Sequence, residues 1–257
     1  MQLGKSFLLA LSMFSRIPVP ETDWTAENRK YALMFLPAVG VAIGLVLFVF
    51  SLLAKALSFG TFLTAAGYAL LPLTVSGGIH LDGFADTVDA LSSRADADKK
   101  RAILKDPHTG AFAVIATAAY LICYFAACTE LPASVSSAIV LTVVHTLSRV
   151  SGALAVTAFS TVSKDGLAAA FSEAPDKRLT LGVLAAVGVF FSAFLVGLSP
   201  LSGLAALCAG AACIFFTHRM AEKEFGGMSG DIAGYLITVT ELAMLLAFVI
   251  FYKAVAA

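Results

Sequence analysis

Charge is scarce in this chain: of 257 residues only 13% are Asp, Glu, Lys or Arg, about half the share carried by a soluble domain. With 59% hydrophobic residues and a mean hydropathy of +0.90, that shortage excludes an ordinary soluble fold and points to the membrane. Net charge is missing too, because 17 basic residues balance 17 acidic ones. No overall field attracts nucleic acid, and no nucleic-acid partner is expected. The few cysteines, Cys123, Cys128, Cys208 and Cys213, lie in apolar runs without metal-ligand or redox spacing, so they read as small buried hydrophobes. Small cleavage-site residues are lacking after the apolar stretch from Phe7 to Phe14, where Ser15-Arg16-Ile17-Pro18-Val19-Pro20 stands instead, so no removable signal peptide is expected.

What the chain does have is long uncharged runs. Residues 31–54 contain no Asp, Glu, Lys or Arg, and at about 1.5 Å per residue they exceed a bilayer core of roughly 30 Å. A second span near 61–78 ends at Ser76-Gly77-Gly78, and the densely charged stretch 82–106 cannot cross. A third span, 107–129, opens at Asp106-Pro107, a pairing that suits an N-cap followed by proline at the first helical position. A fourth, 133–159, carries His145 and Arg149 well inside it, after which the polar stretch 160–178 returns to water. Residues 179–218 are too long for one crossing and break at Gly197 to Gly203 into two helices. A seventh span, roughly 232–252, carries Glu241. Residues 6–19 are too short to cross and suit an interfacial or re-entrant helix.

The expected fold is therefore an all-α integral membrane protein of about seven transmembrane helices plus that N-terminal helix. Residues 1–257 form a single membrane-embedded catalytic domain in this reading. Almost every Lys and Arg outside the spans falls on one side of the layout, which makes that side, with the N-terminus, cytoplasmic.

Asp82, Asp86 and Asp89 stand at i, i+4 and i+7, so on a helix the three carboxylates share one stripe and repel unless a cation lies between them. Oxygen-only ligands favour Mg²⁺, with Mn²⁺ as a substitute, over zinc. A solvated polar helix after a span is the plainer alternative, but no basic residue between His80 and Ser93 offers a local partner. The basic cluster Arg94, Lys99, Lys100, Arg101 and Lys105 suits positive-inside topology and anionic lipid. Lys105, at the expected start of a span, is the best phosphate candidate within it. The turn Phe225-Gly226-Gly227-Met228-Ser229-Gly230-Asp231 can turn backbone N–H groups toward an anion, with Asp231 either capping the next helix or joining the metal site. Arg149 and Glu241 are costly in a bilayer unless paired or set in a polar cavity. Each lies about one third to one half of the way along its helix from the cytoplasmic end, so they can meet at one depth.

The run from Gly77 to Asp89, Gly77-Gly78-Ile79-His80-Leu81-Asp82-Gly83-Phe84-Ala85-Asp86-Thr87-Val88-Asp89, closely resembles the signature of the cobalamin synthase family, also called adenosylcobinamide-GDP ribazoletransferase. Further resemblances follow in order: Phe14 to Pro20, Lys105-Asp106 with Gly110, Ser148-Arg149, and Gly226-Gly227 with Ser229-Gly230-Asp231. The resemblance implies an enzyme of the bacterial plasma membrane that joins adenosylcobinamide-GDP to α-ribazole or its 5′-phosphate and releases GMP. It implies attack by a ribose 5′-hydroxyl, with Asp82, Asp86 and Asp89 on Mg²⁺ and Asp231 as a further ligand or, like Asp89, a proton acceptor. Arg16, His80, Lys105, Asp106, Arg149, Gly226, Gly227 and Gly230 would meet the substrates. It leaves room for a homo-oligomer.

Two other classes compete. A CDP-alcohol phosphotransferase predicts Asp-Gly-x₂-Ala-Arg early in its motif, whereas Asp86 and Thr87 occupy the Ala and Arg positions here. A secondary transporter places its acids midway across helices, whereas six Asp cluster between 82 and 106.

Overall fold

In the computed structural model, which describes residues 2–162, 171 and 176–256, each long apolar run of the sequence is a helix. The N-terminal helix α1 (Gln2–Phe14) and the single turn α2 (Ala26–Arg29) lead through a 3₁₀ turn, Ala32–Phe35, into α3 (Leu36–Ala56). Then come α4 (Thr61–Ser76), α5 (Ile79–Ser92), the short α6 (Ala97–Ile103), α7 (Ala111–Thr129) and α8 (Val135–Ala158). Three long helices close the chain: α9 (Lys177–Leu198), α10 (Pro200–Phe225) and α11 (Gly230–Ala256). Among the described residues the one strand-like pairing is a parallel bridge between Thr161 and Met228. Most of the polar stretch 160–178 lies outside the described residues.

Six of these helices are long and apolar enough to cross a membrane, namely α3 with its lead-in, α7, α8, α9, α10 and α11. The seventh apolar run is α4, only about 24 Å long at 1.5 Å per residue. Together with α5 it makes the seventh candidate span, broken by a 93° bend between the two helices. Gly77 and Gly78, with φ of +68° and +78°, make that bend. Two consecutive left-handed residues turn the chain sharply, and side-chain-bearing residues resist that conformation.

Helix α8 is the axis of the bundle and is buried along most of its length. It can be central because α3 lies almost against its backbone: a Cβ at Gly40 would meet Thr146 Cα at 2.6 Å, and one at Gly44 would strike the Thr142 side chain. Small residues that admit a second backbone are the membrane substitute for hydrophobic driving force. The lipid-facing surface is correspondingly apolar, with Phe190, Phe194, Phe215 and Phe216 exposed on α9 and α10. The cysteines divide: Cys128 is buried as expected, whereas Cys123 and Cys208 are exposed, so the buried reading fails for these two. A thiol on a lipid-facing surface sits in apolar surroundings without being covered by protein.

Two expectations about helix ends need correction. Helix α7 starts at Ala111 with Gly110 as its N-cap, not at Asp106-Pro107. The Asp106 carboxylate instead folds onto its own loop, accepting from the His108 N–H at 2.9 Å and facing His108 Nδ1 at 2.7 Å. At the start of α11 the cap is Ser229, whose hydroxyl accepts from Ile232 N–H at 3.2 Å. Asp231 is thereby left free of capping duty.

Candidate active site

The crossing of α5 and α11 sets the site. A Cβ at Gly83 would meet the Asp231 carbonyl at 2.8 Å, and one at Gly234 would meet the His80 carbonyl at 3.0 Å. Each helix thus offers a glycine to the other's backbone, and the Thr238 hydroxyl ties them by donating to the His80 carbonyl at 3.1 Å. This close approach brings Asp231 beside the stripe of Asp82, Asp86 and Asp89. Asp89 in turn lies against the N-terminus of α7, where its carboxylate occupies the space a Cβ on Gly110 would need. The positive end of that helix dipole favours an anion there.

The four acids form one electrostatic unit. Asp86 is pushed up to about 6, first by burial and then by the charges of Asp82, Asp231 and Asp89. No Lys, Arg or His forms an ion pair with any of the four among the described residues. Because the fold raises this pKa, ionised Asp86 costs stability. Folded protein stripped of divalent cations is expected to lose stability as pH rises from the ordinary carboxylate range through about 6 and to change little above it. Melting temperature against pH in chelator measures the slope, and Asp86→Asn is expected to flatten it.

Two spaces meet at the Asp82 end of the cluster. On one side an open cavity of about 580 Å³ is bordered by Gly77, Gly78, Asp82, Ala85, Thr109 and Thr117. On the other, a more enclosed cavity of about 130 Å³ is bordered by Asp82, Asp231 and His80 together with apolar side chains. Asp82 belongs to both walls.

The remaining sequence candidates divide by position. Arg16 is at the glycine bend, its amide donating to the Val75 carbonyl at 2.8 Å and its side chain lying over Gly77. Lys105 is exposed in the loop before α7, so it does not sit in the first turn of a span as expected. Gly226 and Gly227 do not present their amides to a ligand. Both N–H groups donate to the Ala221 carbonyl, and Gly227 instead admits the Ser160 backbone, whose carbonyl would meet a Cβ there at 2.7 Å. Gly230 opens α11 beside Asp231, with nothing within 4 Å of where a Cβ would stand.

Arg149 is paired with Glu241, away from the four acids. Its other partners are Ser148 Oγ and His145 Nδ1, both at 3.0 Å. His145 Nδ1 also lies 3.1 Å from Glu241 Oε1, its Nε2 faces the Tyr124 hydroxyl at 3.1 Å, and Tyr120 donates to Glu241 at 3.2 Å. Sequence reasoning missed the two tyrosines, because nothing in their local spacing marks them.

Part of the basic cluster has a structural task. Lys100 pairs with Glu224, and Arg101 donates to the Phe225 carbonyl at 2.8 Å, which docks α6 on the C-terminal end of α10. A cation at a helix C-terminus is favoured by the dipole and by its unsatisfied carbonyls.

Fold and site together define a multi-pass, all-α membrane protein with a carboxylate cluster set where two cavities meet. Comparison with known proteins gives the family. The model of the cobalamin-5-phosphate synthase family matches residues 6–249, and the chain belongs to that family. Similar curated proteins include the adenosylcobinamide-GDP ribazoletransferase of Lachnoclostridium phytofermentans, 36% identical over 95% of this chain and 93% of the relative. The proteins of the same name from Clostridium botulinum (strain Alaska E43) and Geobacillus thermodenitrificans are each 32% identical, over 93% and 92% of this chain and 95% and 92% of theirs. No solved structure matches the chain.

Proposed function

We propose that this protein joins adenosylcobinamide-GDP to α-ribazole or its 5′-phosphate, releasing GMP, in the final assembly of the cobalamin nucleotide loop. The family and its relatives' names support the overall reaction. The observation that carries the chemical reading is the clustering of four carboxylates from α5 and α11, none of them in an ion pair with a cation among the described residues. An all-oxygen donor set with that much uncompensated charge fits a hard divalent ion such as Mg²⁺, with Mn²⁺ in its place. Among the described residues no three His, Cys, Asp or Glu side chains converge on one point as they stand, so side-chain rotation would complete the shell. Held by Asp82, Asp86 and Asp89, with Asp231 beside them, the ion would neutralise charge on the transferred phosphoryl group and on departing GMP.

The acceptor's own chemistry corrects one expectation. A 5′-phosphorylated acceptor that gives a 5′-phosphorylated product cannot attack through its 5′ oxygen, so a secondary ribose hydroxyl is the nucleophile. Its oxygen bonds to the cobinamide-bearing phosphorus, the bond from that phosphorus to the oxygen of GMP breaks, and the hydroxyl proton passes to an acid of the cluster. We assign that role to Asp231 or Asp89, the first supported by its position at the α5 crossing and the second by its position at the N-terminus of α7.

Purified protein in detergent, given both substrates, is expected to release GMP only with Mg²⁺ or Mn²⁺ present. Release that persists unchanged in chelator would overturn the metal reading, and no release in either condition would overturn the reaction.

We place the protein in the bacterial plasma membrane with the acids and N-terminus cytoplasmic, on the strength of its Lys and Arg distribution. An ion pair of 2.9 Å between Glu130 and Lys253 puts the far ends of α7 and α11 on a common face, opposite the acids. In a cysteine-free background, needed because Cys123 and Cys208 are exposed, Lys99→Cys is expected to react with membrane-impermeant thiol reagent from the cytoplasmic side and Glu130→Cys from the other. The reverse pattern inverts the topology.

A further inference from the structure

The enclosed cavity beside the acids contains a buried group that the reaction as described does not use. His80 is 8% exposed, borders the cavity, and among the described residues has no hydrogen-bond partner at either ring nitrogen. A neutral imidazole carries one donor and one acceptor, and leaving both unmet in the interior is costly. Nothing in the packing explains this. The ring stacks on Phe14 with centroids 6.4 Å apart, an arrangement that holds its plane but satisfies neither nitrogen.

The walls restrict what the group can meet. Phe14, Leu33, Leu36, Val156 and Ile237 make most of the surface apolar, and Asp82 and Asp231 close one end. At about 130 Å³ the space is about ten times what one water requires, so a ring-sized ligand fits where a lone solvent molecule would rattle. It is far too small for a corrin macrocycle. Guanine's donors could turn only to Asp82 and Asp231, the acids that the diphosphate and its counter-ion need, while its remaining polar edge would face hydrocarbon at a desolvation cost. A benzimidazole attached through one nitrogen carries a single remaining acceptor and is otherwise hydrocarbon.

We propose that this cavity is the acceptor's base subsite. The benzimidazole of the ribazole nucleoside lies among Phe14, Leu36, Val156 and Ile237, and His80 donates to its one free nitrogen. The ribose then extends toward Asp82 and Asp231, and the diphosphate donor approaches from the open cavity on the other face of Asp82. His80 is in this account a binding residue that sets which base is accepted. The proposal rests on the transferase reading above.

The test measures GMP release with each substrate varied in turn, together with fluorescence titration. Trp24 is the chain's single tryptophan, and its ring meets Phe171, another residue of the cavity wall, edge-on at 5.8 Å. Its emission therefore reports on the cavity without turnover. Titration with α-ribazole is expected to shift that emission, and titration with GMP is not. His80→Phe is expected to raise the acceptor KM about tenfold, the equivalent of one lost hydrogen bond in a dry site, with the donor KM unchanged. His80→Gln, which keeps an amide donor, is expected to recover most of that loss. Val156→Phe fills the space without touching His80 and is expected to raise the same KM and abolish the emission shift.

A change in donor KM instead, or no change in either KM in a wild-type background that releases GMP, would overturn the subsite while leaving the transfer reaction standing. An α-ribazole shift that Val156→Phe removes, in a protein that releases no GMP, would support the subsite and overturn the transfer reading.

Discussion

Asp82→Asn is expected to lower GMP release by on the order of 10² to 10³ in kcat, the usual loss when one element of charge stabilisation is removed from a transition state. Asn is nearly isosteric with Asp, and the carboxylate lies at the exposed edge of α5, so the fold has no reason to change. The lost quantity is one negative charge and one strong oxygen ligand at the single acid that borders both cavities. Stability should move the other way. Asp82 is the first of the neighbouring charges that raise Asp86, so removing it relieves repulsion in the cation-free protein. A small rise in melting temperature in chelator, together with a smaller stabilising response to Mn²⁺, is therefore expected beside the loss of activity.

Asp98→Asn is the matched control. Asp98 pairs with Arg101 in α6, away from the cluster, and its removal is expected to leave activity near wild type. If Asp82→Asn kept full metal-dependent activity, the acid cluster would not hold the catalytic ion.

The division between what the sequence shows and what it hides follows from the range of the interactions involved. The apolar runs are legible because bilayer thickness sets their length, and the i, i+4, i+7 acids because helix periodicity puts them on one stripe. The 93° bend is legible only in part: Gly77-Gly78 marks a stop, but a stop does not reveal the direction in which α5 leaves. The roles of Gly226, Gly227 and Gly110 are hidden in the sequence for one physical reason. Gly226 and Gly227 look like an anion-binding nest in isolation, yet their amides are consumed by Ala221, and Gly227 makes room for the backbone of a segment more than sixty residues earlier. Gly110 falls inside the span expected to open at Asp106-Pro107, while the structure makes it the N-cap and uses its bare Cα to admit Asp89. In each case the partner is distant in sequence, and local spacing carries no trace of it. The enclosed cavity is invisible for the same reason, since Phe14, His80, Val156 and Ile237 come from four separate helices.

The pair of Arg149 and Glu241 carries the other large expected effect, on folding. Both side chains are nearly inaccessible, and around them His145, Ser148, Tyr120 and Tyr124 are arranged as hydrogen-bond partners. Burying two charges together offsets part of their desolvation, but removing one leaves the other uncompensated, at a typical cost of about 3–5 kcal/mol. Glu241→Ala is accordingly expected to yield little folded protein, and Arg149→Ala likewise, as read by detergent size-exclusion profile and melting temperature. Arg149→Met combined with Glu241→Leu removes both charges and keeps most of the volume. It is expected to recover most of the lost stability, because apolar pairs replace buried ion pairs at little or no cost. The double variant also separates two roles that the single variants confound. Arg149 makes its contacts with Glu241, Ser148 and His145, not with the acid cluster, so GMP release should return with the fold. A double variant that is stable yet inactive would show that the guanidinium leaves Glu241 to hold a substrate phosphate during turnover. Single variants as stable as the wild type would mean that the pair contributes nothing to the bundle it crosses.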